Sequence, residues 1–215
     1  MAIKINEIFY SIQGESLYAG IPCIFIRLTG CNLRCAYCDT RYAYDEGMNM
    51  TIPEILGQVE SYPATALIEI TGGEPLFQEE TPDLAGQLLD HGRTVLMETN
   101  GSFDISRIDS HCIRIMDVKC PSSLMDAHND PDNLGRIGPH DQIKFIIGTQ
   151  TDYAFALNVL KQIPSDFPRS NVLFSPAFGS LPPSLLAKWI LEDGLGVRLH
   201  LQMHKVIWPN TERGV

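Results

Sequence analysis

Apolar, β-branched runs that alternate with helix-forming segments are the feature that most constrains the fold of this 215-residue chain. Continuous apolar runs predict strands that are buried on both faces, as in parallel sheets. The predicted strands span residues 21–28, 66–70, 94–97, 112–118, 142–147, 171–174 and 197–201. Alternating strands and helices indicate an α/β fold, and six or seven strands are too few for a closed eight-unit barrel. We therefore expect a partial, open (β/α)6-type barrel.

Helices are predicted between these strands, and the first has the clearest start signal. The predicted helices span residues 51–62, 83–89, 152–160 and 183–191. Thr51-Ile52-Pro53-Glu54 is a capping box with an early proline, so the Thr51 hydroxyl can accept hydrogen bonds from first-turn amides. The sequence holds no repeat or linker-like shift, and its length favours one domain. We expect a single domain over residues 1–215, with its chemistry at the C-terminal ends of the strands.

Charge and hydropathy exclude several classes of protein. The chain has 16 Lys and Arg against 26 Asp and Glu, a net charge of −10, which argues against direct binding of nucleic-acid phosphates. The first residues lack the apolar stretch of a secretory signal. No apolar run approaches the roughly 18 residues of a membrane span. We expect a cytoplasmic protein with no membrane partner.

Three of the six cysteines stand close together, as Cys31, Cys35 and Cys38 in the pattern C-x3-C-x2-C. Soft thiolates select zinc, Cu(I) or iron–sulfur clusters. A cubane cluster usually takes four cysteines, so three would leave one iron open to a ligand from outside the protein, as in a catalytic metal site. Two other interpretations remain: a zinc knuckle that borrows Cys112 or Cys120, and three buried cysteines that are close by coincidence.

Two polar motifs follow the next predicted strands. Thr71-Gly72-Gly73-Glu74-Pro75 follows the second strand, and Glu98-Thr99-Asn100-Gly101 follows the third. Glycine lets backbone approach a ligand closely, and the Glu74 carboxylate can accept a hydrogen bond from an ammonium group. Because the carboxyl ends of parallel strands meet at one edge of a sheet, we expect both motifs to lie near the cysteine loop.

C-x3-C-x2-C after an early strand, followed by Gly-Gly-Glu-Pro after the next, resembles the radical S-adenosylmethionine superfamily. The resemblance implies a [4Fe–4S] cluster on Cys31, Cys35 and Cys38 that binds S-adenosylmethionine at its open iron. The reduced cluster cleaves this cofactor to a 5′-deoxyadenosyl radical, which abstracts a substrate hydrogen, so no protein residue is the radical carrier. The cofactor contacts that the resemblance implies first are Tyr37, Cys38, Asp39 and Gly73.

Within that superfamily the chain resembles the 7-carboxy-7-deazaguanine synthases over nearly its whole length. The residues that carry this resemblance are 9–16 (FYSIQGES), Arg27, Asp39-Thr40, His204-Lys205, Trp208 and 212–215 (ERGV). It implies ring contraction of 6-carboxy-5,6,7,8-tetrahydropterin with loss of ammonia. It also implies a requirement for Mg²⁺ and a product that serves as a precursor of queuosine and related bases.

The same resemblance implies contacts to this substrate and to Mg²⁺. The implied substrate contacts are Ile12, Gln13, Gly14, Arg27 and Thr71, and the implied Mg²⁺ ligand is Thr40. Taken alone, Gln13-Gly14 also fits a surface turn. Arg27 also fits a structural ion pair, because a buried guanidinium needs an anion. Thr40 also fits a helix or turn cap.

Further cofactor contacts are implied after the fourth and sixth strands. They are Asp117, Val118 and Lys119, where some family members have Ser-Pro-Lys, and Ser175, Pro176, Ala177 and Phe178, where the match is looser. Glu98 and Asn100 fit either a cofactor contact or a turn at the sheet edge. Lys144, His204 and Lys205 fit either a local positive charge for an acidic substrate or solvated surface.

Partners and alternatives complete the expectations. The resemblance implies a homodimer, which suits an open sheet with an uncovered edge, and a flavodoxin or ferredoxin as reductant. A glycyl-radical-activating enzyme is a second hypothesis, because such enzymes are also short and have a similar cluster. A zinc-stabilised, non-catalytic binding module is a third.

Overall fold

A computed structural model describes residues 2–215, which form one open nine-stranded sheet flanked by helices. The strands are β1 Ala2–Ile12, β2 Pro22–Leu28, β3 Met48–Thr51, β4 Leu67–Gly72, β5 Thr94–Thr99, β6 Ile113–Asp117, β7 Gln142–Ile147, β8 Val172–Pro176 and β9 Arg198–Leu199. The α-helices are α1 Ile52–Glu60, α2 Thr81–Asp90, α3 Asn133–Arg136, α4 Gln150–Leu160, α5 Pro183–Glu192 and α6 His204–Ile207.

The order of strands across the sheet is β3-β1-β2-β4-β5-β6-β7-β8-β9. Every neighbouring pair from β2 to β9 is parallel, whereas β1 is antiparallel to both of its neighbours. The two end strands do not pair with each other, so the barrel is partial and open, as predicted. All seven predicted strands and all four predicted helices are present, with boundaries that differ by a few residues.

Strands β1 and β3 were not predicted, and for β1 the reason is an irregularity in its pairing with β2. The register of β1 against β2 shifts between Ile5 and Glu7, which is a β-bulge or similar irregularity. Ile3 and Ile5 therefore follow one alternation of buried residues, whereas Ile8 follows the opposite one. A bulge inserts one residue into the period of two on which strand prediction depends.

Alternate residues of the strands pack into two apolar layers, as expected for strands buried on both faces. On β2, Ile24 and Ile26 belong to the large core between sheet and helices. Cys23 and Phe25 belong to a smaller cluster on the other face, which Leu96 and others complete. The smaller cluster lies on the face of the sheet that also forms the cavity described below, because Phe25 lines that cavity.

The capping box at the start of α1 is confirmed. The Thr51 hydroxyl accepts from the Glu54 amide (3.4 Å), and the Glu54 carboxylate accepts from the Thr51 amide (2.7 Å). Among residues 2–215, none of the helices combines the length and apolar composition that crossing a membrane would need.

Candidate active site

A cavity of about 900 Å³ lies at the C-terminal edge of the parallel strands. This is the edge at which the sequence predicts the chemistry. The predicted site residues that line it are Ile12, Gln13, Gly14, Arg27, Cys31, Cys35, Tyr37, Cys38, Asp39, Thr40, Thr71, Gly73, Asp117, Lys119, Ala177 and Phe178. Val118, Ser175 and Pro176 are outside the lining, and their assignment to the cofactor stays a prediction.

The cysteine loop follows β2 directly and places its three thiols at the cavity. Cys31, Cys35 and Cys38 are all free and half-buried. The main-chain amide of Leu33 donates to the Cys31 Sγ (3.4 Å), and the Asn100 side-chain amide approaches the same sulfur (3.9 Å). All three cysteines line the cavity, and the Cys31 sulfur has hydrogen-bond donors beside it, which suits a thiolate ligand.

Gly73 lets the Gly-Gly-Glu-Pro loop touch the cysteine loop. A Cβ on Gly73 would lie 2.2 Å from the Gly30 carbonyl oxygen and 2.8 Å from the Cβ of Cys31. The next residue closes the contact, because the Glu74 amide donates to the Gly30 oxygen (2.8 Å). Only glycine fits this approach, so the two motifs are one structural unit although they are far apart in sequence.

The Glu74 side chain is a structural tie and does not line the cavity. It is fully buried, and its carboxylate accepts from the amide of Asn100 (2.6 Å), the amide of Leu76 (3.0 Å) and the Thr99 hydroxyl (2.8 Å). Its oxygens are thus engaged within the protein. The expected role of Glu74 as an acceptor for a bound ammonium group is replaced by one of joining the ends of β4 and β5.

A largely buried ion pair lies near the cysteines, close enough for its lysine charge to act on two of the thiols. The Lys119 ammonium donates to Asp117 Oδ2 (2.7 Å). Burial raises the pKa of the Cys31 and Cys35 thiols, and the Lys119 charge opposes this by favouring the thiolates. Asp117 Oδ1 and the Tyr37 hydroxyl are buried without a partner among the described residues, so polar atoms remain for a bound molecule.

These residues fit a cluster and its cofactor better than they fit a zinc knuckle. Within residues 2–215, no group of three or more His, Cys, Asp or Glu side chains is placed to hold one metal ion. A four-iron cluster needs no such group, because its cysteines bind separate iron atoms. Cys112 and Cys120, the cysteines that a zinc knuckle would borrow, are fully buried and lie outside the cavity lining.

Gln13 is buried at 2% exposure and is not part of a surface turn. Its side-chain nitrogen donates to the carboxylate of Glu69, and its side-chain oxygen accepts from the amide of Glu15 (2.9 Å). Gly14 packs equally closely, because a Cβ there would lie 2.4 Å from the His204 ring. Both residues therefore line the cavity and are also fixed by contacts with other parts of the protein.

Arg27 forms the structural ion pair considered for it and also lines the cavity, whereas its contact with substrate stays a prediction. Its Nε donates to the Glu7 carboxylate (2.8 Å), which is the structural ion pair. Its guanidinium also lies 5.6 Å from the Phe9 ring centre and 5.8 Å from that of Tyr42. Because Arg27 also lines the cavity, its terminal nitrogens are placed where an anionic group of a ligand can reach them.

Thr40 and Asp39 lie together at one wall of the cavity. Thr40 precedes a short 3₁₀ turn, but its hydroxyl does not cap that turn and instead donates to Asp39 Oδ1 (3.0 Å). The Lys205 ammonium pairs with Asp39 Oδ2 (2.5 Å) and lies 5.0 Å from the Phe178 ring centre. Lys205 is therefore part of the cavity wall and not solvated surface.

A cluster of polar and charged side chains forms another wall, and the sequence analysis singled out Gln13, Glu98 and Lys144 in it but gave no role to Glu15 or Glu69. We call it the Lys144 network, and its members are Gln13, Glu15, Glu69, Glu98 and Lys144, all of which line the cavity. The Lys144 ammonium donates to Glu15 (3.0 Å) and to Glu98. The other Glu98 oxygen accepts from the Thr71 hydroxyl (3.1 Å). The alternative of solvated surface for Lys144 is wrong, since its side chain is 5% exposed.

The carboxylates of the Lys144 network differ in charge state. Burial raises the pKa of Glu69 to about 8, and the neighbouring Glu98 and Glu15 add to the shift. Burial acts in the same direction on Glu15, but Lys144 and His200 outweigh it and lower the pKa of Glu15. The pKa of Lys144 lies well above its usual range because these carboxylates surround it. At neutral pH Lys144 and Glu15 are charged, whereas Glu69 is protonated.

Ser175 is not part of the cavity lining, and its side chain contacts a histidine that the sequence analysis did not single out. Its hydroxyl shares a 2.7 Å hydrogen bond with His200 Nδ1, and both residues are buried. Val118 is likewise turned inward, into the core between sheet and helices. Any cofactor contact from Ser175 or Val118 would therefore come from the main chain.

Comparison with known proteins agrees with this geometry. Residues 25–168 match the model of the Radical SAM superfamily. A 7-carboxy-7-deazaguanine synthase of Koribacter versatilis is 43% identical, over 99% of this chain and all of the relative. Enzymes of the same name from Chlorobaculum tepidum and Thermoplasma acidophilum are 43% and 37% identical, over 99% and 96% of this chain and 97% and 98% of theirs.

A solved structure supports the fold independently. The crystal structure of QueE from Escherichia coli superposes with a TM-score of 0.74 and covers 95% of each chain at 24% identity. At that identity the likeness speaks for the fold alone, whereas the relatives above speak for the family. The chain belongs to the radical SAM superfamily and, within it, to the family of 7-carboxy-7-deazaguanine synthases.

Proposed function

We propose that this chain catalyses the radical-mediated ring contraction of 6-carboxy-5,6,7,8-tetrahydropterin to 7-carboxy-7-deazaguanine, with loss of ammonia. The observation that carries the proposal is that one cavity joins the three cysteines to residues 12–14, Arg27 and Thr71. A group that abstracts hydrogen must be held next to the substrate on which it acts. The family and the names of its members favour this activity over a glycyl-radical activase or a zinc-stabilised binding module.

Membership of the radical SAM superfamily implies a [4Fe–4S] cluster and S-adenosylmethionine. We assign Cys31, Cys35 and Cys38 as the cluster ligands. When bound, these groups supply the hydrogen-atom abstraction that begins the reaction. Gly73 brings the Gly-Gly-Glu-Pro loop into contact with the cysteine loop, and Asp117 presents an unpaired carboxylate oxygen that can accept from a cofactor hydroxyl.

The substrate carries a carboxylate, and Arg27 is the residue that we assign to it. The Glu7 carboxylate holds the Arg27 Nε, so the guanidinium is oriented before substrate binds and its terminal nitrogens remain for the substrate carboxylate. A bidentate contact of this kind is both strong and specific in direction. Residues 12–14 and Thr71 line the same cavity and complete the substrate contacts.

We further propose Thr40 as a ligand of Mg²⁺. The Thr40 hydroxyl lines the cavity and is not used as a helix cap. Magnesium accepts a single protein oxygen when substrate and water fill the rest of its octahedron. There the ion would stabilise developing negative charge on the substrate. Chelation of divalent ions should then suppress turnover, with Mg²⁺ restoring it, and Thr40→Ala should raise the Mg²⁺ concentration required.

The decisive experiment is an anaerobic turnover assay. Protein reconstituted with iron and sulfide is incubated with 6-carboxy-5,6,7,8-tetrahydropterin, S-adenosylmethionine, Mg²⁺ and a chemical reductant. The product is followed by its ultraviolet spectrum and mass, with a reaction lacking reductant as control. We expect a deazapurine and an equal amount of ammonia, formed over many turnovers for each S-adenosylmethionine present.

The same assay separates the alternatives. Cleavage of S-adenosylmethionine without any deazapurine would reject the substrate and leave a glycyl-radical activase as the better hypothesis. A colourless protein with stoichiometric zinc and no cofactor cleavage would leave the binding module. Broad visible absorption together with the deazapurine would exclude both.

The physiological partners are also proposals. A homodimer is supported by the open sheet, whose last strand β9 has only two residues and leaves β8 largely uncovered, and light scattering tests it. A flavodoxin or ferredoxin is the proposed reductant, and replacing the chemical reductant with either protein tests this. The cytoplasmic location and the use of the product for queuosine in tRNA stay predictions.

A further inference from the structure

Two side chains assigned to the substrate are each held by a carboxylate. Gln13 donates to Glu69, and Thr71 donates to Glu98. Glu98 pairs with Lys144, so its position is explained by charge. Glu69 has no such cation in contact: Gln13 is the one side chain of the described residues that forms a hydrogen bond with it. A buried carboxyl group in an apolar strand is costly, and the mechanism above does not use it.

We propose that Glu69 is a positioning residue, which fixes the substrate-binding segment 12–14 through the side chain of Gln13. This inference rests on the proposed function, because it takes residues 12–14 as the place where the pterin binds. Glu69 acts on the substrate through another residue and need not touch it.

The hydrogen bonds of Gln13 make it the anchor of this segment. Its side-chain nitrogen is tied to Glu69 on β4, and its side-chain oxygen is tied to the amide of Glu15 (2.9 Å). Its main chain is tied to the other end of the same loop, because its amide donates to the Ile21 oxygen (2.8 Å) and its oxygen accepts from the Gly20 amide (2.8 Å). Of these hydrogen bonds, the one to Glu69 is the one that joins the loop to an interior strand of the sheet.

The groups that face Glu69 determine its charge. Glu15 faces it from the loop after β1, Glu98 from β5, Lys144 from β7 and Cys23 from β2. Two carboxylates already share one ammonium, so a third negative charge would be unbalanced. Burial and these carboxylates raise the pKa of Glu69 to about 8. Burial raises the pKa of the Cys23 thiol and Lys144 stays charged, so Glu69 is the group of this set that ionises just above neutral pH.

The charge state of Glu69 has a consequence for an anionic substrate. Below pH 8 the neutral acid holds Gln13 without adding charge to the cavity. Above pH 8 the new carboxylate repels the substrate carboxylate across a poorly solvated space. We therefore expect the KM for the pterin to rise above pH 8 in the natural protein.

Three variants test the inference. Glu69→Gln keeps an oxygen that accepts from Gln13 but cannot ionise, whereas Glu69→Val removes the acceptor. Ile68→Val is the matched control, because Ile68 is the neighbour of Glu69 on β4 and packs on the opposite face, in the core. Loss of one buried hydrogen bond predicts a KM about tenfold higher for Glu69→Val with kcat little changed. Glu69→Gln should keep the KM of the natural protein at pH 7 and lose the rise above pH 8.

A second readout does not depend on turnover. Hydrogen exchange of a peptide that covers residues 9–16 should be faster in Glu69→Val than in the natural protein, and unchanged in Ile68→Val. Unchanged exchange and unchanged KM in Glu69→Val would overturn the inference, as would a Glu69→Gln variant that keeps the rise in KM. If Glu69→Val does not fold, the inference is still tested by Glu69→Gln, through its hydrogen exchange and through the pH profile of its KM. Failure of the natural protein to form a deazapurine would instead reject the proposed function, while the exchange experiment would still test the role of Glu69 in holding the segment.

Discussion

The cysteine loop and the Lys144 network line the same cavity but are built in opposite ways. The three cysteines come from one short stretch of chain that follows β2, and they are half-buried. Lys144 and its carboxylates come from four separate segments and meet only when the strands pair in the correct register. The chemistry of a local motif can be predicted from its spacing in the sequence, whereas the chemistry of a dispersed cluster depends on the fold.

The largest expected effect is on the cysteine side of this comparison. Cys35→Ala should abolish the deazapurine product and remove the broad visible absorption, because two thiolates cannot hold the cluster as three do. The fold should survive, since Cys35 is half-buried in a loop. Iron content, the visible spectrum and the far-ultraviolet circular dichroism measure these three results.

Cys112→Ala is the matched control for Cys35→Ala. Cys112 is fully buried and lies outside the cavity lining, so its replacement should keep the iron and the activity. Loss of metal on replacing Cys112, with retention on replacing Cys35, would contradict the assignment and return the zinc knuckle to consideration.

The second prediction tests whether the Lys144 network depends on its single ammonium. Lys144→Met should lower the free energy of unfolding by about 3–5 kcal/mol, because it leaves the carboxylates of Glu15 and Glu98 without their cation. The loss should be smaller at pH 5 than at pH 8, since without Lys144 the burial of Glu15 favours its protonated form, which removes uncompensated charge. Urea unfolding at the two pH values measures both effects.

An exposed lysine supplies the control for Lys144→Met. Lys188 forms a 3.7 Å pair with Glu192 on the surface of α5, and Lys188→Met should change stability by no more than about 0.5 kcal/mol. Equal losses of unfolding free energy from the two substitutions would show that the buried position of Lys144 does not increase its contribution to stability.

The third prediction concerns the pH dependence that Glu69 imposes on stability. Its pKa is about 8 in the folded protein against an ordinary value of 4.5, so the folded state binds more protons than the unfolded state between these values. The free energy of unfolding contributed by Glu69 is therefore complete below pH 4.5 and falls as the pH rises towards 8. Glu69→Gln should remove a slope of up to about 1.4 kcal/mol per pH unit. Urea unfolding from pH 5 to 8.5 compares the two proteins, and parallel curves would refute the shift.

The fold could be predicted from the sequence wherever one period held along an element. Continuous apolar runs located every parallel strand, and Thr51 located the start of α1. Strand β1 was not predicted because its bulge near Asn6 interrupts the alternation of buried residues. Ile3 and Ile5 follow one alternation, and Ile8 follows the opposite one. Its partner β3 escaped because its four residues are mostly exposed and lack an apolar pattern.

The site could be predicted wherever the residues were contiguous, and less well where strands bring them together. Asp117 and Lys119 line the cavity whereas Val118 packs in the core, as the period of two requires. Glu69 lies in an apolar strand, and that charged residue in a run of Ile and Leu was a signal that the sequence analysis did not use. The contact between Glu69 and Gln13 could not be predicted, because the two residues are far apart in sequence and no local pattern joins them.

The smallest expected effect tests the joint between the two loops at Gly73. Gly73→Ala places a Cβ 2.2 Å from the backbone oxygen of Gly30, so the loops must move apart, at a cost of about 1–3 kcal/mol of stability and with weaker cluster binding. Gly57→Ala is the control, because a Cβ there meets nothing within 4 Å in α1 and should stabilise the helix by about 0.5–1 kcal/mol. Opposite signs in thermal unfolding, with iron lost only from Gly73→Ala, would show that the cysteine loop, local in sequence, still depends on its contact with β4. A change in thermal stability of the same sign for both glycine substitutions would mean that the cysteine loop does not depend on its contact with β4.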